Sequence, residues 1–141
     1  MTTVIECTTD GKQSLRVLLV EDDDTDALLM MWYSGMLARY RFDLTRTCKV
    51  DAAFVELESN DYNLCLLDFW LGSETSLRLL PYLDRPTMRT AAVVVSNMSC
   101  RESDALRIGS GSIVFLPKVG CTIETLEGAV NSALSSKSMT H

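Results

Sequence analysis

Leu15-Arg16-Val17-Leu18-Leu19-Val20-Glu21-Asp22-Asp23-Asp24 decides the fold class: a nearly continuous apolar run breaks off into four consecutive acids. Alternating polarity would mark a strand with one wet face. An almost unbroken apolar run marks a strand buried on both faces, as in parallel sheets covered by helices. Beyond it, Asp24-Thr25-Asp26 offers capping and first-turn acids for a helix through about Arg39.

The pattern recurs along the chain. Leu64-Cys65-Leu66-Leu67 runs into Asp68, Ala91-Ala92-Val93-Val94-Val95 into Ser96, and Ser112-Ile113-Val114-Phe115-Leu116 into Pro117-Lys118. Phe42 to Cys48 alternates and reads as a half-exposed edge strand. Helical segments are expected over Val50–Ser59, over Ser76–Leu83 with Pro81 inside, and over Cys100–Ile108. A last helix, capped by Thr122, carries Leu126, Ala129, Val130 and Leu134. Five strands alternating with five helices imply an open parallel α/β sheet with right-handed crossovers. Residues 1–14 are polar and read as a flexible arm, 15–134 as one domain, and 135–141 as a polar tail.

Composition narrows the function. The 141 residues carry a net charge of -6 and no basic stripe, which argues against nucleic acid as a partner. The chain is also too short for a separate DNA-binding output domain after the first. No apolar run approaches the ~20 residues of a membrane span, and the N-terminus lacks a signal-peptide layout, so a cytoplasmic protein is expected. Five cysteines without a CxxC pair fit a reducing compartment, with Cys48 and Cys65 read as small core residues. The single histidine, His141, is the last residue. Ser-His-Asp catalysis, Cys-His catalysis and histidine-ligated metals are thereby set aside, and any phosphohistidine must belong to a partner.

In open α/β sheets, ligands bind beyond the carboxyl ends of the strands. Those ends carry Glu21-Asp22, Asp68, Ser96 and Lys118. Carboxylates placed together repel unless a cation joins them. Oxygen ligands without His or Cys suit Mg²⁺, and Lys118 and Ser96 suit an anion. The set fits phosphoryl transfer, where positioning and charge neutralisation do most of the catalysis. Taken singly, the acids could be helix caps and Asp68, Ser96 or Lys118 ordinary loop residues; their convergence carries the reading.

Leu18-Leu19-Val20-Glu21-Asp22-Asp23, Leu66-Leu67-Asp68, Val94-Val95-Ser96 and Phe115-Leu116-Pro117-Lys118 together resemble the receiver domain of bacterial two-component response regulators, over about residues 15–134. The resemblance implies a five-stranded, flavodoxin-like, doubly wound fold with helices on both faces. It implies phosphorylation of Asp68 by a histidine kinase or histidine phosphotransfer protein. Asp22 would bind Mg²⁺ directly and Glu21 through water, with Asp68 and the Trp70 carbonyl completing the protein ligands. Lys118 would bridge to phosphoryl oxygens, while Ser96 and Phe115 would act as switch residues. The chain would be a single-domain signalling protein rather than a turnover enzyme. It would act through contact with a downstream protein or as a phosphate sink, without nucleic acid or membrane.

Several positions depart from the family pattern. Val119 follows Lys118 where a cis proline is usual, so this loop is expected to be trans or strained. Gly72 replaces a usual proline, Ser76 a usual glycine, and Asn97 a usual alanine or glycine. Trp70 and Met98 stand where relatives tune phosphoaspartate hydrolysis. Bulky apolar groups cannot orient water, so slow self-dephosphorylation is expected. The first helix is apolar almost all round; Leu29, Trp32 and Met36 are expected on the sheet, with Met30 and Tyr33 outward as a partner surface. The main alternative is a phosphorylation-independent adaptor. An aspartyl phosphatase generally wants a second Asp two residues after the first, where Trp70 stands. A flavin site would be repelled by Asp22-Asp23-Asp24.

Overall fold

The computed structural model describes residues 6–7, 11–97 and 112–138. In chain order these form β1 (Glu6–Cys7), β2 (Gln13–Val20), α1 (Asp24–Ser34), β3 (Tyr40–Thr47), α2 (Val50–Ser59) and β4 (Leu64–Leu67). Then come β5 (Trp70–Leu71), β6 (Glu74–Thr75), α3 (Leu79–Asp84), β7 (Ala91–Ser96), β8 (Val114–Pro117) and α4 (Ile123–Ser138).

Five strands run parallel in the order β3-β2-β4-β7-β8, so β3 is the expected edge strand. Alternate residues of each strand face opposite layers. Val17, Leu19, Leu66, Val93 and Val95 pack beneath α1 and α4, against Ala27, Leu126 and Val130. Leu18, Val20, Cys65, Leu67 and Val94 pack beneath α2 and α3, against Ala53, Leu57 and Leu83. The sheet is therefore covered on both sides, which gives the doubly wound, flavodoxin-like arrangement. Parallel registry sets the strand ends level: Val20 lies opposite Thr47 and Leu67, Leu67 opposite Val94, and Ser96 opposite Pro117. Among the described residues no helix is long and apolar enough to cross a membrane.

Some local expectations change. Helix α1 ends at Ser34, short of Arg39, because Gly35 caps it and the Glu127 carboxylate accepts from the Ala38 and Arg39 N–H groups. Its inward face is rotated from the expected one. Met30 and Tyr33 pack on the core while Leu29, Trp32 and Met36 are exposed. Asp23, accepting from the Asp26 N–H, starts the helix, and Ala27, Met30 and Ser34 then follow a helical stripe, with Leu37 buried just past its end. Ser34 tolerates burial because its hydroxyl donates to the Met30 carbonyl. Cys65 is buried as expected, whereas Cys48 falls just past β3 and is exposed.

The expected arm is partly paired, since Glu6–Cys7 forms an antiparallel ladder with the start of β2. At the other end α4 continues past residue 134, because Lys137 donates to the Leu83 and Arg85 carbonyls at the end of α3. Pro81 falls in the first turn of α3, where its missing N–H costs no helical bond. Trp70–Leu71 and Glu74–Thr75 form a small hairpin turned by Gly72 at φ +66°. Met98 and the helix expected over Cys100–Ile108 lie outside the described residues.

Candidate functional site

Level strand ends bring Glu21, Asp68 and Lys118 to one point. The Asp68 N–H donates to the Val20 carbonyl and the Lys118 N–H to the Ser96 carbonyl, so each of these residues is the first beyond a ladder. The Lys118 ammonium donates to Asp68 Oδ2 at 2.8 Å, Asp26 Oδ2 at 2.7 Å and Glu21 Oε1 at 3.3 Å. Glu21 and Asp68 are buried, while the Asp26 side chain is 40% exposed.

Three carboxylates share one ammonium, leaving two negative charges in excess when all three are ionised. Burial and the Asp68 charge push the Glu21 carboxyl up to about 7, against the lowering effects of the Asp23 N–H and Lys118. For Lys118 burial favours the neutral form, but its bonds to Asp26 and Asp68 and the nearby charges outweigh burial and raise its pKa. Oxygen atoms of Glu21, Asp26 and Asp68 lie within 4.8 Å of one another, close enough to hold a metal ion. An all-oxygen donor set with excess negative charge fits a hard divalent cation.

The other expected site residues occupy varied settings. The Asp22 side chain is exposed and turned toward Gly72, where an added Cβ would lie 3.0 Å from its Oδ2. The Trp70 N–H donates to Asp68 Oδ1 at 3.3 Å, and its exposed indole stands edge-on to Phe69. The Ser96 hydroxyl is buried and has no hydrogen-bond partner among the described residues, which leaves a polar atom for a ligand to satisfy. Phe115 is half-buried against the α2–α3 side of the core. The described peptide bonds are all trans, including Lys118–Val119, and Val119 is 83% exposed.

Asp26 is the site residue that sequence reasoning missed. It reads as a first-turn acid, yet its carboxylate turns to Lys118. The available signal was its position three residues after the N-cap, one turn into a helix that starts at the site. A cavity of about 270 Å³ opens beside the cluster, lined by Asp26, Asp68 and Lys118 and, on its apolar side, by Leu29, Met30 and Tyr33.

No family model and no curated protein matches this chain. Solved structures do. The signal receiver domain assigned to a Luxo repressor protein of Vibrio parahaemolyticus superposes with a TM-score of 0.72 at 21% identity, covering 89% of this chain and 94% of that one. The receiver domain of the Francisella response regulator 1452 gives 0.69 at 21%, over 90% and 99% of the two chains. A CheY-like response regulator receiver domain protein of Methanospirillum hungatei JF-1 gives 0.68 at 18%, over 89% and 98%.

Proposed function

We propose that this chain, whose fold is that of response-regulator receiver domains, is a signalling switch that accepts a phosphoryl group on Asp68. The observation that carries the reading is Asp68 itself, a buried strand-end carboxylate bonded to Lys118 and adjoining Glu21.

The donor is a phosphohistidine on a histidine kinase or phosphotransfer protein. An Asp68 carboxylate oxygen forms the new bond to phosphorus as the N–P bond breaks. The bonding pair returns to the imidazole, which leaves neutral if its second nitrogen already carries a proton. Lys118 holds Asp68 in place and offsets charge on the phosphoryl oxygens. The buried Ser96 hydroxyl, without a partner among the described residues, can donate to the product, and Phe115 can follow it. Glu21, Asp22 and Asp68, with the Trp70 carbonyl, would hold Mg²⁺. When bound there, the ion would supply charge neutralisation at the transferring group. Output is by contact with a downstream protein, and the chain turns over no substrate of its own.

Beryllofluoride, a phosphoryl mimic, tests this reading. Given with Mg²⁺, it is expected to change the tryptophan fluorescence of the wild type and not of Asp68→Ala. Equal responses from the two proteins, or none from either, would favour the phosphorylation-independent adaptor.

A further inference from the structure

We propose that Asp26 is a built-in competitor for Lys118, a positioning residue that the phosphoryl group must displace; this rests on Asp68 being the phosphoacceptor. An ammonium has three protons to donate. In this structure Lys118 points them at Asp26, Asp68 and Glu21, at 2.7, 2.8 and 3.3 Å. A phosphoryl oxygen arriving on Asp68 therefore gains Lys118 only if one carboxylate lets go.

The three contacts differ in how readily they open. Asp68 stays, because it carries the incoming group. Glu21 is buried and its second oxygen accepts from the Asp23 N–H, so rotating it away would strand a carboxylate in the interior. Asp26 has the most exposed side chain of the three and can rehydrate on release. It also holds a negative charge within 4.8 Å of Asp68 oxygen, where the phosphoryl group brings further negative charge.

The same carboxylate acts in opposite directions on two ligands. It helps a divalent cation by adding negative charge and hinders a phosphoryl group by repulsion and by occupying Lys118. A merely structural first-turn acid would move neither affinity, or both together.

The test uses the full chain as wild type, Asp26→Asn and Asp26→Glu. Tryptophan fluorescence is titrated with Mg²⁺ alone, then with beryllofluoride at saturating Mg²⁺. Asp26→Asn is expected to bind Mg²⁺ more weakly and beryllofluoride roughly tenfold more tightly, the change expected from one charge-assisted contact. Asp26→Glu, which keeps the charge, should stay within about twofold of wild type on both titrations, too small a change to count as a lost contact. Beryllofluoride affinity unchanged or weakened in Asp26→Asn, or both affinities moving the same way, overturns the competitor role. A wild type that binds no beryllofluoride overturns the phosphoacceptor reading and this inference with it.

Discussion

Lys118 meets three carboxylates and Asp68 meets Lys118 and the Trp70 N–H, so the chemistry at the residue scale is a contest over a few donors. On the proposed reading, the fate of a phosphoryl group on Asp68 would depend on whether water can be oriented for attack. The exposed Trp70 indole, two residues past Asp68, has one ring N–H and no group to act as a base. Trp70→Asn is expected to shorten the phosphoaspartate lifetime by about tenfold, less than the roughly 10²–10⁴ of a true general base, because an amide can orient a water but cannot take its proton. Loss of label from protein loaded with acetyl phosphate measures it, and equal decay in the two proteins would count against this role. Glu21, Asp68 and Lys118 were legible in the sequence because a parallel strand's end is marked by the first polar residue after an apolar run. Asp26 was not, because where a first-turn acid points depends on the helix's rotation against the sheet.

That rotation is a property of the element. In α1 the apolar residues surround the axis, so periodicity alone could not say which side is buried. Packing chose Ala27, Met30 and Tyr33, leaving Leu28 and Trp32 outside. The β5–β6 hairpin was equally illegible, since strands of two residues carry no period. Helix α4 outran its expected end for a polar reason: Lys137 is buried and reaches the α3 terminus, near an Asp84 that accepts from the Ser112 hydroxyl. Burial lowers the Lys137 pKa from the usual 10.5, with Asp84 opposing part of the effect. The unfolded chain then holds that proton more tightly than the folded one. Stability should therefore rise with pH in the window just below 10.5, and Lys137→Met should remove that rise. Urea denaturation at stepped alkaline pH follows the difference between the two proteins. Parallel pH profiles would show that Lys137 is not the source.

On the scale of the whole molecule, two helical layers on a five-stranded parallel sheet were readable because four strand runs were apolar enough to need cover on both faces. The small β1 pairing was not readable, since nothing in Glu6–Cys7 demands a partner. The fold places the ends of its five parallel strands at one edge, where Glu21, Asp26 and the buried Asp68 share the single Lys118 ammonium. The central claim is that this aspartate takes the phosphoryl group. Its most direct test is to treat the protein with acetyl phosphate and Mg²⁺, reduce the acyl phosphate with borohydride, and map the product by peptide mass spectrometry. The account predicts reduction at residue 68 alone, converting the aspartate to homoserine. Reduction at Asp22 or Asp26 instead, or at no carboxylate, would contradict it.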